Sequence, residues 1–330
     1  MKLKIGMTYD LRADYLAGGY AGEDVAEFDS ESTIAAIEHA LQDIGHSPVR
    51  IGNARELCKR LVAGERWDLV FNIAEGLRGR SREAQVPCIL ETYDIPYTLS
   101  DPLVCALTLD KALSKKIVRA AGLHTAESHL VSRIEDLDRV SLGFPLFAKP
   151  VAEGTGKGID SRSRVENRGQ LSALCVELLA KFRQPVLVEE FLPGREFTVG
   201  ILGTADRARV LGAMEVEVLP PRAGGIYSLE TKEKCEDMIK YSTLEGGALR
   251  GEIEDLALRS YLALECRDAG RVDVKLNRDN RAAFLELNAL PGLHPTHSDL
   301  PMIATQEGMS YRDLVGAIVK SALERARTGH

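Results

Sequence analysis

The 330-residue chain lacks the features of several protein classes. It has no run of the ~18 apolar residues that a membrane span needs, and its N-terminal apolar run is too short for a signal-peptide core. It has no basic excess either, because 42 Lys and Arg stand against 49 Asp and Glu, a net charge of −7. We therefore expect a cytoplasmic protein that binds neither nucleic acid nor a membrane.

Cysteine is scarce and forms no recognisable pattern. The six cysteines include no C-x-x-C pair, and most lie in apolar segments. We expect free, buried thiols in a reducing compartment rather than disulfides or a zinc site.

Internal repeats and low-complexity segments are also missing. With 45% apolar and 28% charged residues, the chain has a globular composition, and its length suits two or three domains.

The order of predicted strands and helices indicates an α/β fold. Residues 3–8 predict a buried strand, residues 30–45 a helix that Ser30 opens and Gly45 ends, and residues 68–72 a second strand. Strands that alternate with helices predict a parallel sheet in this N-terminal part. Further along, we expect helices at 109–121, 252–268 and 313–325, strands at 145–150, 186–191 and 197–202, and loops at 10–29 and 219–242.

Residues 271–288 predict a β-hairpin with one polar face. Turn-forming residues separate two runs in which apolar side chains alternate. Since strand side chains alternate between faces, the turn brings Asp273 level with Glu286, and Asn288 shares that face while Leu285 points to the other. Carboxylate and amide oxygens without His or Cys suit Mg²⁺. A solvated charged face is the alternative that the spacing leaves open.

Two other segments are candidates for nucleotide binding. The loop at 153–158, EGTGKG, follows a predicted strand, and such loops let backbone N–H groups approach phosphate closely. Its spacing matches neither a Walker loop nor a dinucleotide fingerprint, so an ordinary glycine turn stays open. Glu189 and Glu190 on the next strand, with Glu196 after it, could accept hydrogen bonds from adenine and ribose, or could be surface charges.

Taken in order, these segments resemble the ATP-grasp superfamily, and within it the D-alanine–D-alanine ligase branch, over roughly residues 67–320. The resemblance implies a mixed α/β ATP-grasp fold with an N-terminal parallel α/β subdomain (1–100) and two subdomains that clamp ATP (101–185 and 186–330). The matching motifs are IPYT at 95–98, LDK at 109–111, FAKPxxEG at 147–154, VEEFLPGREFTV at 188–199, RVD at 271–273, ELNALPG at 286–292 and PMIA…GMSY at 301–311.

The resemblance implies an ATP-dependent carboxylate–amine ligase that forms an amide or peptide bond between amino-acid-like substrates. In such enzymes ATP phosphorylates a carboxylate, and an amine attacks the acyl phosphate to give the amide, ADP and phosphate. The implied cofactors are ATP and two Mg²⁺ ions, for which Mn²⁺ can substitute, and a homodimer is compatible with the resemblance. The alternative is a nucleotide-binding protein of the same fold that has lost ligation and acts by loop closure.

The resemblance also assigns roles to individual residues. Arg271 and the Gly292 backbone would stabilise the acyl phosphate and the oxyanion, a task for preorganised donors. Three hairpin residues would hold the metal ions, namely Asp273, Glu286 and Asn288. The implied ATP site comprises Lys111, Lys149, Thr155, Glu189, Glu190, Phe191, Leu192, Glu196 and Lys232.

The chain departs from the dipeptide-ligase pattern where substrates bind. A family Gly-Ser-Glu motif is missing, and Glu75 stands where the resemblance places a substrate-site histidine. Since a carboxylate in the pocket favours a cationic group and an arginine fork favours a carboxylate, we expect poor activity with D-alanine alone. The alternative is that Glu75 only pairs with an arginine. The implied substrate residues are Glu75, Arg80, Arg82, Glu83, Tyr227 and Ser298, and residues 222–242 would form a mobile lid.

Overall fold

The computed structural model describes residues 2–219 and 239–328. Its first sheet has three parallel strands, β1 (Lys4–Thr8), β2 (Ser47–Gly52) and β3 (Leu69–Asn72), in the order β2-β1-β3. Apolar side chains of β1 and β3, such as Ile5 and Phe71, are fully buried. The parallel sheet expected for the N-terminal part is therefore confirmed.

Four helices accompany this sheet: α1 (Arg12–Ala17), α2 (Glu31–Asp43), α3 (Ala54–Val62) and α4 (Gln85–Thr92). As expected, Ser30 caps α2 by accepting a hydrogen bond from the Thr33 N–H. The prediction of a loop throughout residues 10–29 is wrong, because α1 lies within it. The segment RADYLA holds no glycine or proline, and the glycines that suggested a loop begin only after it.

The second sheet follows a pair of helices, α5 (Pro102–Leu109) and α6 (Lys111–Ala120). The predicted helix at 109–121 instead begins at Lys111, because Asp110 is extended and its carboxylate caps the first turn of α6. The sheet is antiparallel with the order β4-β7-β5-β6. Its elements are β4 (Ser128–Val131), β5 (Leu146–Pro150), β6 (Arg164–Val165), α7 (Arg168–Phe182) and β7 (Val186–Glu190).

The third sheet is antiparallel with the order β10-β9-β8-β11-β12. Its elements are β8 (Glu196–Leu202), β9 (Arg209–Val218), β10 (Ile239–Thr243), α8 (Ala248–Ala263), β11 (Ala269–Leu276) and β12 (Ala282–Asn288), followed by α9 (Asp299–Gln306) and α10 (Tyr311–Thr328). The helix predicted to reach Asp268 ends earlier, since Glu265 and Asp268 adopt left-handed turn conformations.

Several sequence predictions need correction or stay open. Residues 239–242 belong to β10 rather than to a loop or lid, and the rest of the predicted lid lies outside the described residues. Strand β7 pairs within the second sheet, although we assigned it to the third subdomain; the boundaries themselves stay predictions. The thiols of Cys58 and Cys88 are exposed rather than buried. Within the described ranges, no helix is long and apolar enough to cross a membrane.

A buried carboxylate ties the C-terminal helix to the body of the protein. Asp268 is 1% exposed and pairs with Arg325 of α10 at 2.8 Å. It also accepts hydrogen bonds from the Leu99 N–H at 2.8 Å and the Thr204 hydroxyl at 3.2 Å. One side chain thus joins three segments that are distant in the sequence.

We predict that Asp268→Ala lowers the free energy of unfolding by about 3–5 kcal/mol, because it leaves the Arg325 guanidinium without its carboxylate partner. The matched control is Asp255→Ala, which removes an exposed pair with Arg259 and should cost less than about 1 kcal/mol. Urea unfolding measures both values. Equal losses in the two variants would contradict the role given to Asp268.

Candidate active site

The β11–β12 hairpin places its polar residues on one face, as predicted. Asp273 lies directly opposite Glu286, and Arg271 lies opposite Asn288. Residues opposite each other in an antiparallel pair project to the same side of the sheet. The three predicted metal-binding residues therefore share a face with Arg271.

A β-bulge next to this face corrects the prediction for Leu285. The register shifts after Asp273, so that Val274 pairs with Phe284 and Leu285 is the extra residue. A bulge re-aims a side chain, and Leu285 lines the same cleft as Glu286 instead of pointing away from it. It packs there beside Leu192 and Ala283.

A cleft lies between the second and third sheets, lined by most of the predicted ATP residues, and a buried carboxylate occupies its wall. We call it the nucleotide cleft after that prediction. Glu189 is 3% exposed and stands between two ammonium groups, Lys149 at 2.8 Å and Lys115 at 2.9 Å. Burial alone would raise the pKa of this carboxyl group, but the two lysines lower the pKa of Glu189 to about 2. The group is therefore ionised at neutral pH and fixes both lysines.

Lys115 is a residue that sequence reasoning missed. It is fully buried on α6, one turn after Lys111, and it also donates to the Thr125 hydroxyl at 3.0 Å. The available signal was the spacing of four residues from Lys111, which places both lysines on one helical face. Burial lowers the pKa of Lys115, and Glu189 opposes that shift.

The rest of this cleft combines an ion pair with apolar walls. Lys275 pairs with the predicted Glu196 at 2.7 Å. Phe147 and Phe191 stack with ring centroids 6.5 Å apart. Apolar walls with a few convergent polar groups are typical of small-molecule sites. The cleft brings together nearly all of the predicted ATP residues, namely Lys111, Lys149, Glu189, Glu190, Phe191, Leu192 and Glu196.

A second cleft begins where the nucleotide cleft ends. Lys111 and Glu286 line both clefts, and the Lys111 ammonium lies 3.2 Å from the Glu286 carboxylate. Arg271 lines the second cleft and pairs with Asp299, and it also pairs with Asp273 at 3.0 Å. Asp299 is 6% exposed and was not among the predicted site residues.

The lining of the second cleft also contains the predicted Gly292, Ser298 and Thr155. The Ser298 hydroxyl accepts a hydrogen bond from the His294 N–H at 2.9 Å. A Cβ on Gly292 would come within 2.8 Å of this hydroxyl, so a larger residue would force the Ser298 side chain to shift. Two other predicted residues, Tyr227 and Lys232, lie outside the described residues.

Carboxylates dominate the end of the second cleft that faces the N-terminal sheet. Glu75 and Glu83 both line it, and among residues 2–219 and 239–328 neither carboxylate has a hydrogen bond or an ion pair. Burial, reinforced by Glu83 and Glu27, raises the pKa of Glu75 well above its ordinary value. Burial also raises the pKa of Glu83 to about 7, against the opposing charge of Arg82. Asp29 lines the same end.

The two predicted substrate arginines do not line this cleft. Arg80 is largely exposed and pairs with Asp110 at 2.7 Å. Arg82 is buried, and it pairs with Glu27 at 2.8 Å and donates to the Ala152 carbonyl at 2.9 Å. Neither arginine pairs with Glu75. These contacts therefore do not support the alternative that Glu75 pairs with an arginine and only shapes the loop.

The hairpin residues fit a magnesium ion by their chemistry. Asp273 and Glu286 supply two carboxylates, and Mg²⁺ is usually held by one or two carboxylates together with phosphate oxygens. The side-chain amide nitrogen of Asn288 is buried without a hydrogen-bond partner in the described part of the chain, which leaves this amide uncommitted within the protein. Among the described residues, no three His, Cys, Asp or Glu side chains form a complete metal cage.

Comparison with known proteins gives consistent results. A family model described as D-ala D-ala ligase C-terminus matches residues 116–320. The D-alanine–D-alanine ligase of Aquifex aeolicus is 32% identical over 94% of this chain and 100% of its own. That of Bordetella petrii is 36% identical over 81% and 79%. An uncharacterised protein of Sinorhizobium fredii, y4sG, is 32% identical over 87% and 86%.

The solved structures confirm the fold. The D-alanine–D-alanine ligase of Bacillus anthracis complexed with ATP has a TM-score of 0.76 at 22% identity and covers 99% of this chain and 100% of that one. The VanG D-Ala:D-Ser ligase of Enterococcus faecalis has a TM-score of 0.74 at 21% identity, with coverages of 98% and 100%. The expected ATP-grasp fold is therefore confirmed.

We predict that Lys115→Met destabilises the protein in a pH-dependent way. The folded-state pKa of Glu189 is about 2, below an unfolded value of about 4.3. The stability from this group is therefore present above about pH 4.3 and is lost as pH falls toward 2, and at neutral pH such a shift contributes on the order of 3 kcal/mol.

Removal of the Lys115 ammonium group raises the folded-state pKa of Glu189. The difference in unfolding free energy between wild type and Lys115→Met should therefore narrow as pH falls from 7 to 3. Urea unfolding across this range measures the gap. The neighbouring Lys116 is exposed, and Lys116→Met is the matched control with a small gap at every pH. A Lys115→Met gap that stays constant between pH 7 and pH 3 would refute this account.

Proposed function

The chain belongs to the D-alanine–D-alanine ligase family of the ATP-grasp superfamily. We propose that it joins two amino-acid-like substrates and, from the acidic end of the second cleft, that at least one of them is larger or more polar than D-alanine. Ligation itself follows from the family: the chain is an ATP-dependent ligase of the D-alanine–D-alanine ligase type. The identity of its substrates and the roles of individual residues are our proposal.

The shared boundary of the two clefts carries the proposal. Lys111 and Glu286 line both of them. A phosphoryl group at the end of the nucleotide cleft would therefore lie next to a carboxylate at the start of the second. Holding both reactants at one junction lowers the entropic part of the barrier to phosphoryl transfer.

Charged groups at the junction suit the two steps of the reaction. The Lys149 and Lys111 ammonium groups would bind the nucleotide phosphates, and both are already fixed by carboxylates. Asp273, Glu286 and Asn288 would hold Mg²⁺, which neutralises phosphate charge when bound. Glu190, Phe191 and Leu192 would hold adenine, and Glu196 the ribose, as apolar walls and carboxylates permit.

Beyond the junction, the second cleft would hold the acyl phosphate and the attacking amine. The Arg271 guanidinium lies on the hairpin face that carries Asp273 and is oriented by Asp299. Together with the Gly292 N–H, it would stabilise the oxyanion of the tetrahedral intermediate. The Ser298 hydroxyl, beside Gly292, would bind the carboxylate of the second substrate.

The acidic end supports a substrate with a cationic or additional polar group. Glu75 and Glu83 have no cation partner in the described residues, and Arg82 is engaged by Glu27. An ammonium group placed there would favour ionisation of both carboxyl groups, whose pKa values are raised mainly by burial. D-Alanine offers only its α-ammonium group, which leaves part of the acidic end without a partner. An unsatisfied polar group in a closed site costs about 1–3 kcal/mol.

A regulatory nucleotide-binding protein would need only the nucleotide cleft. Instead, the second cleft retains Arg271, Gly292 and Ser298 beside the junction, which argues for a complete reaction site. The homodimer, the cytoplasmic location and the use of Mn²⁺ stay predictions.

We predict that D-alanine alone is a poor substrate. The experiment is a panel of D- and L-amino acids, tested singly and in pairs with ATP and Mg²⁺, and scored by ADP release and by the mass of the product. The highest kcat/KM should belong to a pair with at least one basic or polar member. If D-alanine with itself gives the highest kcat/KM, the specificity proposal fails and plain dipeptide synthesis stands.

We predict that Glu75→Gln reduces discrimination between basic substrates and D-alanine by 10-fold or more, because glutamine cannot ionise beside a bound cation as Glu75 can. The wild-type KM for a basic substrate should fall as pH rises through about 7, where Glu83 ionises. Glu91→Gln, a change outside both clefts, is the control. Unchanged discrimination in Glu75→Gln would remove Glu75 from the substrate site.

A further inference from the structure

Three buried charges join the N-terminal α/β part to the glycine loop, and we propose that they position this loop over the junction of the two clefts. Glu27 precedes α2, Arg82 follows β3, and Lys157 belongs to the glycine loop at 153–158. Their side chains are only 7%, 8% and 8% exposed. We call these three residues the clasp.

The contacts of the clasp converge on the start of the loop. One Glu27 carboxylate oxygen accepts from Arg82 at 2.8 Å, and the other accepts from the Gly154 N–H at 2.5 Å and lies 3.5 Å from the Lys157 ammonium. Arg82 uses its second arm to donate to the Ala152 carbonyl at 2.9 Å. A Cβ on Gly154 would meet the Glu27 carboxylate at 2.6 Å, so any larger residue would force this carboxylate to shift.

The held segment separates the two clefts. Gly154 and Thr155 line the second cleft, while Gly156 lines the nucleotide cleft. Thr155 and Gly156 have left-handed φ angles of 51° and 71°, and turns of this kind present successive backbone N–H groups to an anion. Lys111, at the junction, donates to the Glu153 carbonyl at 2.6 Å. The clasp therefore determines the position of the backbone N–H groups of Thr155 and Gly156 relative to a bound phosphate.

The electrostatics make Glu27 a positioning residue. Burial alone would raise its pKa, but Arg82, Lys157 and the Gly154 N–H lower the pKa of Glu27 below its ordinary value. The carboxylate is thus ionised and saturated by donors. Although Glu27 lines the second cleft, it has little capacity left for a substrate ammonium group, in contrast to Glu75 and Glu83.

The consequence, which rests on the proposed ligation, is that the clasp couples ATP use to amide formation. A loop that moves away from the junction would admit water to the acyl phosphate. Water then attacks the carbonyl carbon and the C–O bond to phosphate breaks, which releases the free carboxylate and inorganic phosphate. One ATP is consumed without an amide bond.

The test is Glu27→Gln, which keeps the size of the side chain but removes its charge. We expect the ADP released per amide formed, with both substrates saturating, to rise at least 3-fold, and the KM for ATP to rise about 10-fold. Hydrogen–deuterium exchange of a peptide that spans residues 152–158 should accelerate, because the Gly154 N–H loses a charged acceptor.

The matched control is Glu23→Gln. Glu23 pairs with Lys181 at 2.7 Å and bridges the same two parts of the protein, but both side chains are about half-exposed and neither belongs to the glycine loop. This variant should match the wild type in all three measurements. A merely structural role for Glu27 would lower its melting temperature while the ADP-to-amide ratio and the KM for ATP stay at wild-type values, and that result would overturn the inference.

Two further outcomes are distinguishable. If Glu27→Gln does not fold, Lys157→Gln is the second variant; it removes the 3.5 Å contact with Glu27 and also the 2.7 Å pair with Glu153 within the loop. It should raise the ADP-to-amide ratio in the same direction, and an unchanged ratio would overturn the inference. If the wild type forms no amide with any pair of amino acids, the proposed substrates fail. The exchange of residues 152–158 still decides the clasp, since equal exchange in wild type and Glu27→Gln would refute it.

Discussion

The contact between the Lys111 ammonium and the Glu286 carboxylate, at 3.2 Å, is the point on which the architecture of the site depends. Lys111 begins helix α6, which Asp110 caps, and Glu286 lies on the return strand of the hairpin. This contact lies at the boundary between the two clefts. The nucleotide cleft lies between the two antiparallel sheets, and the second cleft lies beside the N-terminal sheet. In the proposed reaction, the nucleotide phosphate and the substrate carboxylate would meet beside this pair.

Most other charges of the site are also held by a partner of opposite sign. Lys149 shares Glu189 with Lys115, Lys275 pairs with Glu196, and Arg271 pairs with Asp299. Such pairs contribute little net stability after desolvation, but they fix the donors before a ligand arrives. Preorganised donors avoid the reorganisation that water would require. The acidic end, where Glu75 and Glu83 have no partner in the described residues, is the exception and is therefore informative about the substrate.

The sequence predicted those parts of the site that depend on local patterns. Alternation and turn residues fixed the hairpin register that sets Asp273 opposite Glu286. The bulge that turns Leu285 into the cleft was missed, because one extra strand residue leaves no mark in composition. Partners distant in the sequence were missed as well. Lys115 is held by Glu189, and Arg82 pairs with Glu27 and does not line the second cleft. Only the three-dimensional arrangement shows these pairings.

The most direct test of the central claim, a phosphoryl transfer to a carboxylate beside Lys111, follows the oxygen atoms. The first substrate is labelled with ¹⁸O in its carboxylate and incubated with ATP, Mg²⁺ and the second substrate. An acyl phosphate requires that each inorganic phosphate released with amide formation carries one ¹⁸O atom from the carboxylate, and Lys111→Met should abolish this transfer together with product formation. Amide formation that leaves the phosphate unlabelled would contradict the account.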